Sequence, residues 1–300
     1  MSKLTRRGFF RAAAGGAAAV GLARSDWAHS KKALYLEDGG TAGGHALRTG
    51  PGVERQGAKF SLGVASYTFR AFPLERAVEM TRRLGLQKVC LKDMHLPLDA
   101  SAEAIGGAAA QVRAAGLDLY ACGVIYMKNP TEVERAFRYA RAAGVQTIIS
   151  VPDPDLLANV DRLARETGLR VAIHNHGPGD PLYPTPASVL DRIKDLGPLV
   201  GLCLDVGHTL RAGVDPARAA HEAGPRLFDV HLKDVTQAKA EGTSVEVGRG
   251  VFDLKAFLVA LEKLGYAGVL AFEHEKDEAD PFPGLAESVG YVRGMLAALA

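Results

Sequence analysis

Gly201-Leu202-Cys203-Leu204-Asp205-Val206-Gly207-His208-Thr209 is an apolar run that stops abruptly on a carboxylate and then an imidazole. Five to six apolar residues without alternation describe a strand buried on both faces, the kind found in parallel sheets covered by helices. Three further segments follow the same pattern: Val171-Ala172-Ile173-His174-Asn175-His176, Phe228-Asp229-Val230-His231-Leu232-Lys233-Asp234 and Val269-Leu270-Ala271-Phe272-Glu273-His274-Glu275. Each is a buried-strand signature ending in side chains that can bind metal.

Working outward, the same unit repeats along the chain. Strands are expected at Phe60–Tyr67, Lys88–Leu91, Leu117–Val124, Val145–Val151 and Leu169–Asn175, before the Asp205, His231 and Glu273 strands. Helices are expected over Leu74–Leu84, Ala102–Ala115, Thr131–Ala143, Pro154–Thr167, Pro186–Leu196, Pro216–Ala223, Leu254–Leu264 and Leu285–Leu299, several closed by a glycine. Eight strands alternating with helices predict an α/β protein, a single-domain (β/α)8 TIM barrel, and its typical size of about 250 residues uses most of the chain. An open doubly wound sheet would place a glycine-rich phosphate turn after its first strand, and neither GxGxxG nor a P-loop occurs. The longest loop is expected from Thr236 to Gly250.

Barrel enzymes build their sites at the carboxyl ends of the strands, where residues two apart point the same way. That geometry brings His174, Asp205, His231 and Glu273 together. Two imidazoles and two carboxylates suit one divalent ion of borderline character, manganese, cobalt or zinc, with magnesium acceptable and calcium a poorer match. His174 or His176 can serve as acid or base, and whichever does not bind metal can orient the one that does. Lys233, two beyond His231, faces the same interior, where its ammonium can hold a substrate oxygen or pair with a carboxylate such as Asp205. His208, Lys92 and His95 occupy mouth positions suited to a substrate hydroxyl. Tyr67, Tyr126 and Tyr183 start loops and can wall a pocket, and Arg249 in the long loop is either an anion contact or a solvated charge.

The ends carry a different message. Thr5-Arg6-Arg7-Gly8-Phe9-Phe10-Arg11 followed by Ala12–Ala23 is similar to a twin-arginine export signal, which predicts residues 1–28 as an address, 29–58 as a glycine-rich arm and 59–300 as the barrel. The apolar run is too short for a stable membrane anchor, and the expected location is periplasmic or otherwise beyond the cytoplasmic membrane. The formal charge of +2 comes from that leader, whose Lys3, Arg6, Arg7, Arg11 and Arg24 face only Asp26; without it the balance is about −2 and gives no electrostatic case for nucleic acid. Cys90, Cys122 and Cys203 lie in apolar runs without a CxxC spacing and are expected as buried thiols.

With these residues in view, the stretch from Lys59 to Ala300 resembles the xylose isomerase-like barrel family, which includes sugar isomerases and epimerases, inosose dehydratases and endonuclease-IV-type enzymes. The carrying motifs are Leu204-Asp205-Val206-Gly207-His208, Val230-His231-Leu232-Lys233-Asp234, Gly248-Arg249-Gly250-Val251-Phe252-Asp253 and Gly268–Glu273. The resemblance implies a metal held by Asp205, His231 and Glu273 with a residue of the fifth strand. Relatives often have Glu-Asn-His there; this chain has His174-Asn175-His176, nearer the inosose dehydratase branch. It implies proton abstraction next to a carbonyl of a sugar, keto-sugar or cyclitol, ending in isomerisation, epimerisation or, alternatively, elimination. The epimerases' paired glutamates are reduced to Glu273, so a barrel that binds carbohydrate without turnover is the other alternative. An endonuclease-like three-metal cluster lacks its early-strand ligands. Association into homo-oligomers is common in such barrels.

Overall fold

The computed structural model describes residues 60–300; the expected export signal and arm, and Lys59, lie outside the described residues. Eight strands close a barrel: β1 (Ser61–Ala65), β2 (Lys88–Leu91), β3 (Asp118–Met127), β4 (Thr147–Pro152), β5 (Arg170–His174), β6 (Val200–Asp205), β7 (Leu227–Leu232) and β10 (Val269–Phe272). Every neighbouring pair is parallel, and β1 closes the ring onto β10. The (β/α)8 expectation therefore holds.

The strands form where the apolar runs predict them because both of their faces are covered. Every residue of β4 and β6 is buried, which alternating polar residues would not allow. Leu202 and Leu204 are fully buried, and truncating such a leucine costs roughly 2–5 kcal/mol.

Around the barrel run α1 (Leu74–Arg83), α2 (Ala102–Ala114), α3 (Pro130–Ala143), α4 (Leu157–Thr167), α5 (Pro186–Ile193), α7 (Pro216–Ala223), α8 (Leu254–Leu264) and α9 (Phe282–Leu299). Local chemistry sets their ends. Ser101, Asn129 and Asp253 accept hydrogen bonds from the first-turn amides of α2, α3 and α8, and Thr185 and Ser188 close a reciprocal capping box on α5. Gly144 and Gly168 end α3 and α4 at φ of 66° and 73°, where a side chain would be strained. No helix among the described residues is long and apolar enough to cross a membrane.

Two segments expected as loops are structured. The residues after Asp205 form α6 (Val206–Arg211), six residues long, so His208 lies on a helix. The segment beyond His231 begins a two-stranded antiparallel ribbon, β8 (Asp234–Val235) with β9 (Ser244–Val245). Asp234 fastens this long connection: its carboxylate accepts from the amides of Val235, Gly248, Gly250 and Phe252 at 2.8, 2.9, 3.1 and 3.0 Å. The expected third strand also runs three residues further, to Met127, carrying Tyr126 to the barrel mouth.

Candidate metal centre

Register places the candidate ligands. His174 ends β5 beside Cys203, Asp205 ends β6 beside His231 of β7, and Glu273 follows β10 with its amide bonded to the Leu232 carbonyl at 3.0 Å. One nitrogen or oxygen from each of His174, Asp205, His231 and Glu273 lies within 4.8 Å of the other three, and all four residues are buried. His174 Nε2 is 3.2 Å from His231 Nδ1 and 3.5 Å from Asp205 Oδ2, while His231 Nδ1 is 3.4 Å from Glu273 Oε2. The buried Asp205 Oδ2 has ionic neighbours, Lys233 Nζ at 3.1 Å and His174 Nε2 at 3.5 Å, and two imidazole nitrogens face each other across the cluster. Such a set of two nitrogens and two oxygens fits a divalent cation.

Asp205 is held from behind. Its amide donates to Asn175 Oδ1 at 3.0 Å, Asn175 Nδ2 donates to Thr209 Oγ1 at 3.1 Å, and Oδ1 of Asp205 caps α6 through the His208 amide at 2.7 Å. One carboxylate oxygen is thus spent on the helix, and the other faces Lys233 and the cluster. Gly207 is required beside it, because a Cβ there would stand 2.7 Å from Cγ and Cδ of Lys233.

Lys233 is buried, with Nζ 3.1 Å from Asp205 Oδ2, 3.0 Å from Glu273 Oε2 and 2.9 Å from Glu275 Oε1. Burial alone would lower its pKa, but Asp205, Glu273 and Glu275 outweigh it and hold the ammonium well above its usual range. Burial likewise opposes ionisation of Asp205 and Glu273, and the Lys233 charge, foremost among several, holds both well below the usual carboxylate range. Burial pulls His174 well down, whereas in His231 the nearby Glu273 overcomes burial and the shift is upward.

Beneath the centre lies Asp229, two residues before His231 on β7. Its Oδ2 is 3.6 Å from His231 Nε2 and 3.3 Å from the Tyr120 hydroxyl, and burial pushes its carboxyl up to about 7. A carboxylate behind a ligand imidazole is a common way to fix the ring's orientation.

Above the centre opens a pocket of about 220 Å3, lined by Tyr67, Lys92, Val124, Tyr126, His174, His176, His208, Glu273 and Glu275. Of the expected mouth residues, Tyr67, Lys92, Tyr126 and His208 are therefore placed together with His176. Burial holds the His208 imidazole down at about 4. The others stand apart. His95 is buried, hydrogen-bonded to Ser66 Oγ at 3.0 Å and to the Phe72 carbonyl at 3.0 Å, and does not line the pocket. Tyr183 is fully buried and donates to the Pro152 carbonyl at 2.8 Å. Arg249 is exposed and ion-paired to Glu287 of α9. Lys233 faces the interior but is sealed off by its three carboxylates. Glu275 and Asp229 were not among the expected site residues; Asp229 lies two residues before His231 on β7, where the period of two marks it, and Glu275 lies two residues after Glu273, beyond the end of β10.

A family described as xylose isomerase-like TIM barrel matches residues 128–295, more than half of the chain. The chain belongs to the xylose isomerase-like TIM barrel family. An inosose dehydratase of Lacticaseibacillus casei is 30% identical over 150 residues, 42% of this chain and 49% of that protein. The chain thus spans about half the length of the curated relatives it matches. Among solved structures, an L-ribulose 3-epimerase superposes with a TM-score of 0.66 at 19% identity, covering 80% of this chain and 95% of that one. The IolI protein with a bound zinc atom gives 0.66 at 19% identity, covering 80% and 98%. At these identities the two structures speak for the fold of the family member described here, and the ligand set rests on its own residues.

Proposed function

We propose that this protein is a divalent-metal-dependent isomerase or epimerase that acts on a sugar, keto-sugar or cyclitol by removing the proton next to a carbonyl. The observation that carries the proposal is the convergence of His174, Asp205, His231 and Glu273 within 4.8 Å at the floor of a polar pocket. A cation held there, with manganese, cobalt or zinc the best match and magnesium acceptable, would supply Lewis-acid charge beside a carbonyl and its neighbouring hydroxyl.

The chain's own groups divide the remaining work. Lys233 offsets the charge of Asp205, Glu273 and Glu275 and keeps the ligand carboxylates ionised. Glu273 and His174 contribute to that cluster, so proton transfer falls to the acid–base groups that line the pocket outside it, Glu275 and His176. Burial raises the Glu275 carboxyl, against the pull of Lys233, and lowers the His176 imidazole, which brings acid and base nearer to one another in strength. Lys92, Tyr67 and His208 border the same volume and are suited to hydroxyl contacts.

A second reading is elimination, in which the removed α-proton is followed by loss of a β-hydroxyl as water. It is favoured by His174 standing where a second carboxylate would serve two-face proton exchange, and by the inosose dehydratases among the relatives. Either outcome starts with the same proton. We also propose that the chemistry takes place beyond the cytoplasmic membrane, on the strength of the paired-arginine segment Thr5–Arg11; an Arg6→Lys plus Arg7→Lys variant found in the same cell fraction as the wild type would refute this.

The test is elemental analysis of the protein purified from its own host, beside an Asp205→Ala plus His231→Ala variant, followed by α-proton exchange of inososes and keto-sugars in D2O. Near-stoichiometric divalent metal that vanishes in the variant, with deuterium entering the α-position, is the expected result. Metal-free wild-type protein, or metal without exchange across the panel, would sink the enzymatic reading.

A further inference from the structure

Three side chains run in line from the metal centre to the pocket mouth. His174 presents Nε2 to the ligand set, and on the opposite side of the ring its Nδ1 lies 3.4 Å from His176 Nδ1. His176 Nε2 lies 3.1 Å from the Tyr126 hydroxyl. Tyr126 stands near the end of β3, lines the pocket and is 48% exposed. Among the described residues, the hydroxyl has no hydrogen-bond partner besides His176.

The direction of these contacts follows ring by ring. A nitrogen that binds a cation gives up its lone pair, so a neutral His174 with Nε2 in the ligand set carries its proton on Nδ1. That N–H donates to Nδ1 of His176. A neutral imidazole has a single N–H, so the proton of His176 sits on Nε2 and is donated to the phenol oxygen. Two ring nitrogens facing each other at 3.4 Å need one donor and one acceptor, so a proton on His174 Nδ1 leaves His176 Nδ1 as the acceptor. The Tyr126 oxygen is then an acceptor toward His176, and its own O–H is left pointing elsewhere, at the border of the pocket.

We propose that Tyr126 is a substrate-orienting residue whose hydroxyl donates a hydrogen bond to an oxygen of the bound sugar or cyclitol, in a direction imposed through His176 by cation binding at His174. The substrate side of this inference rests on the proposed function; the tautomer side does not. Ligands presenting an acceptor oxygen at the mouth, a carbonyl, ring oxygen or hydroxyl lone pair, are selected over deoxy analogues at that position.

The experiment uses the full chain, labelled with 15N-histidine and loaded with zinc, which leaves the spectrum diamagnetic. Long-range 1H–15N correlation spectra read the tautomers directly. The expected result is His174 protonated at Nδ1 and His176 at Nε2, in the wild type and in Tyr126→Phe alike. His176 protonated at Nδ1 would overturn the inference, since Tyr126 would then be the donor to the ring. Binding of an inosose by the zinc-loaded protein is expected to weaken several-fold, up to about ten-fold, in Tyr126→Phe, with zinc content unchanged. Undiminished binding in that variant would refute the role of Tyr126. If the tautomers are as expected but the wild type binds neither inososes nor keto-sugars, the proposed function fails while the hydrogen-bonded line stands.

Discussion

Lys233 is the residue whose removal has the most calculable effect. In Lys233→Met the stem is kept and the charge is lost, leaving Asp205 and Glu273 buried without their main counter-charge; Glu275, partly exposed, recovers some solvation. Breaking a buried ion pair by deleting one partner costs about 3–5 kcal/mol. For a domain of this size that corresponds to a fall in melting temperature of about 6–20 °C. The pH dependence has a definite sign. Lys233 holds the folded-state pKa values of Asp205 and Glu273 below those of the unfolded chain, so it contributes stability above the ordinary carboxylate range that is lost as pH falls through the folded values. In the variant these carboxyls protonate more readily, so the deficit against wild type is full at pH 8 and shrinks towards pH 4–5. Thermal unfolding followed by circular dichroism in EDTA at pH 8 and pH 5 measures both, and zinc is expected to recover part of the loss at pH 8. An unchanged melting temperature at pH 8, or the same deficit at both pH values, would refute the charge-balance argument.

Three further outcomes follow from the same geometry. The Asp229 carboxyl, raised by burial from 3.8 to about 7, makes metal-free wild type lose stability as pH rises from about 4 to about 7; Asp229→Asn is expected to flatten that limb of a urea-midpoint profile, and an unaltered slope would exclude a buried neutral carboxyl there. Gly207→Ala puts a methyl 2.7 Å from the Lys233 stem and is expected to cost about 1–3 kcal/mol, read as a lower unfolding midpoint, whereas a neutral result would mean that the stem has room to move. Arg249→Ala, which removes only a surface pair with Glu287, is expected to leave metal content and turnover at the wild-type level; a loss of turnover would bring the long β7–α8 connection into the substrate pocket.

The fold was legible because parallel strands covered on both faces are written as uninterrupted apolar runs, and because a glycine closing a helix, as at Gly144, Gly168 and Gly265, is a local signal. Gly201–Asp205 and Val269–Phe272 needed no tertiary information. The four candidate ligands were legible for a related reason: each stands where an apolar run gives way to the polar residues at its carboxyl end. Exposure and direction beyond the strand ends were not. His95 and Tyr183 have the composition of mouth residues, yet one turns inward to backbone carbonyls and the other packs under the β4 end, choices made by neighbours distant in sequence. Arg249 is spent on a helix nearly forty residues later. Glu275 was overshadowed by the more conspicuous Glu273, although the segment following β10 brings both to the same pocket.

Asp234 binds the long β7–α8 connection to β7 through the amides of Gly248, Gly250 and Phe252, so the motif Val230–Asp234 and the motif Gly248–Asp253 are a single mechanical unit, with the fastening only three residues beyond His231. Such an arrangement concentrates vulnerability. The ribbon tip is held separately, by Arg211 of α6 on the Ala240 carbonyl, whereas a change at the one fastening carboxylate would release Gly248, Gly250 and Phe252 together and loosen the seat of His231 with them.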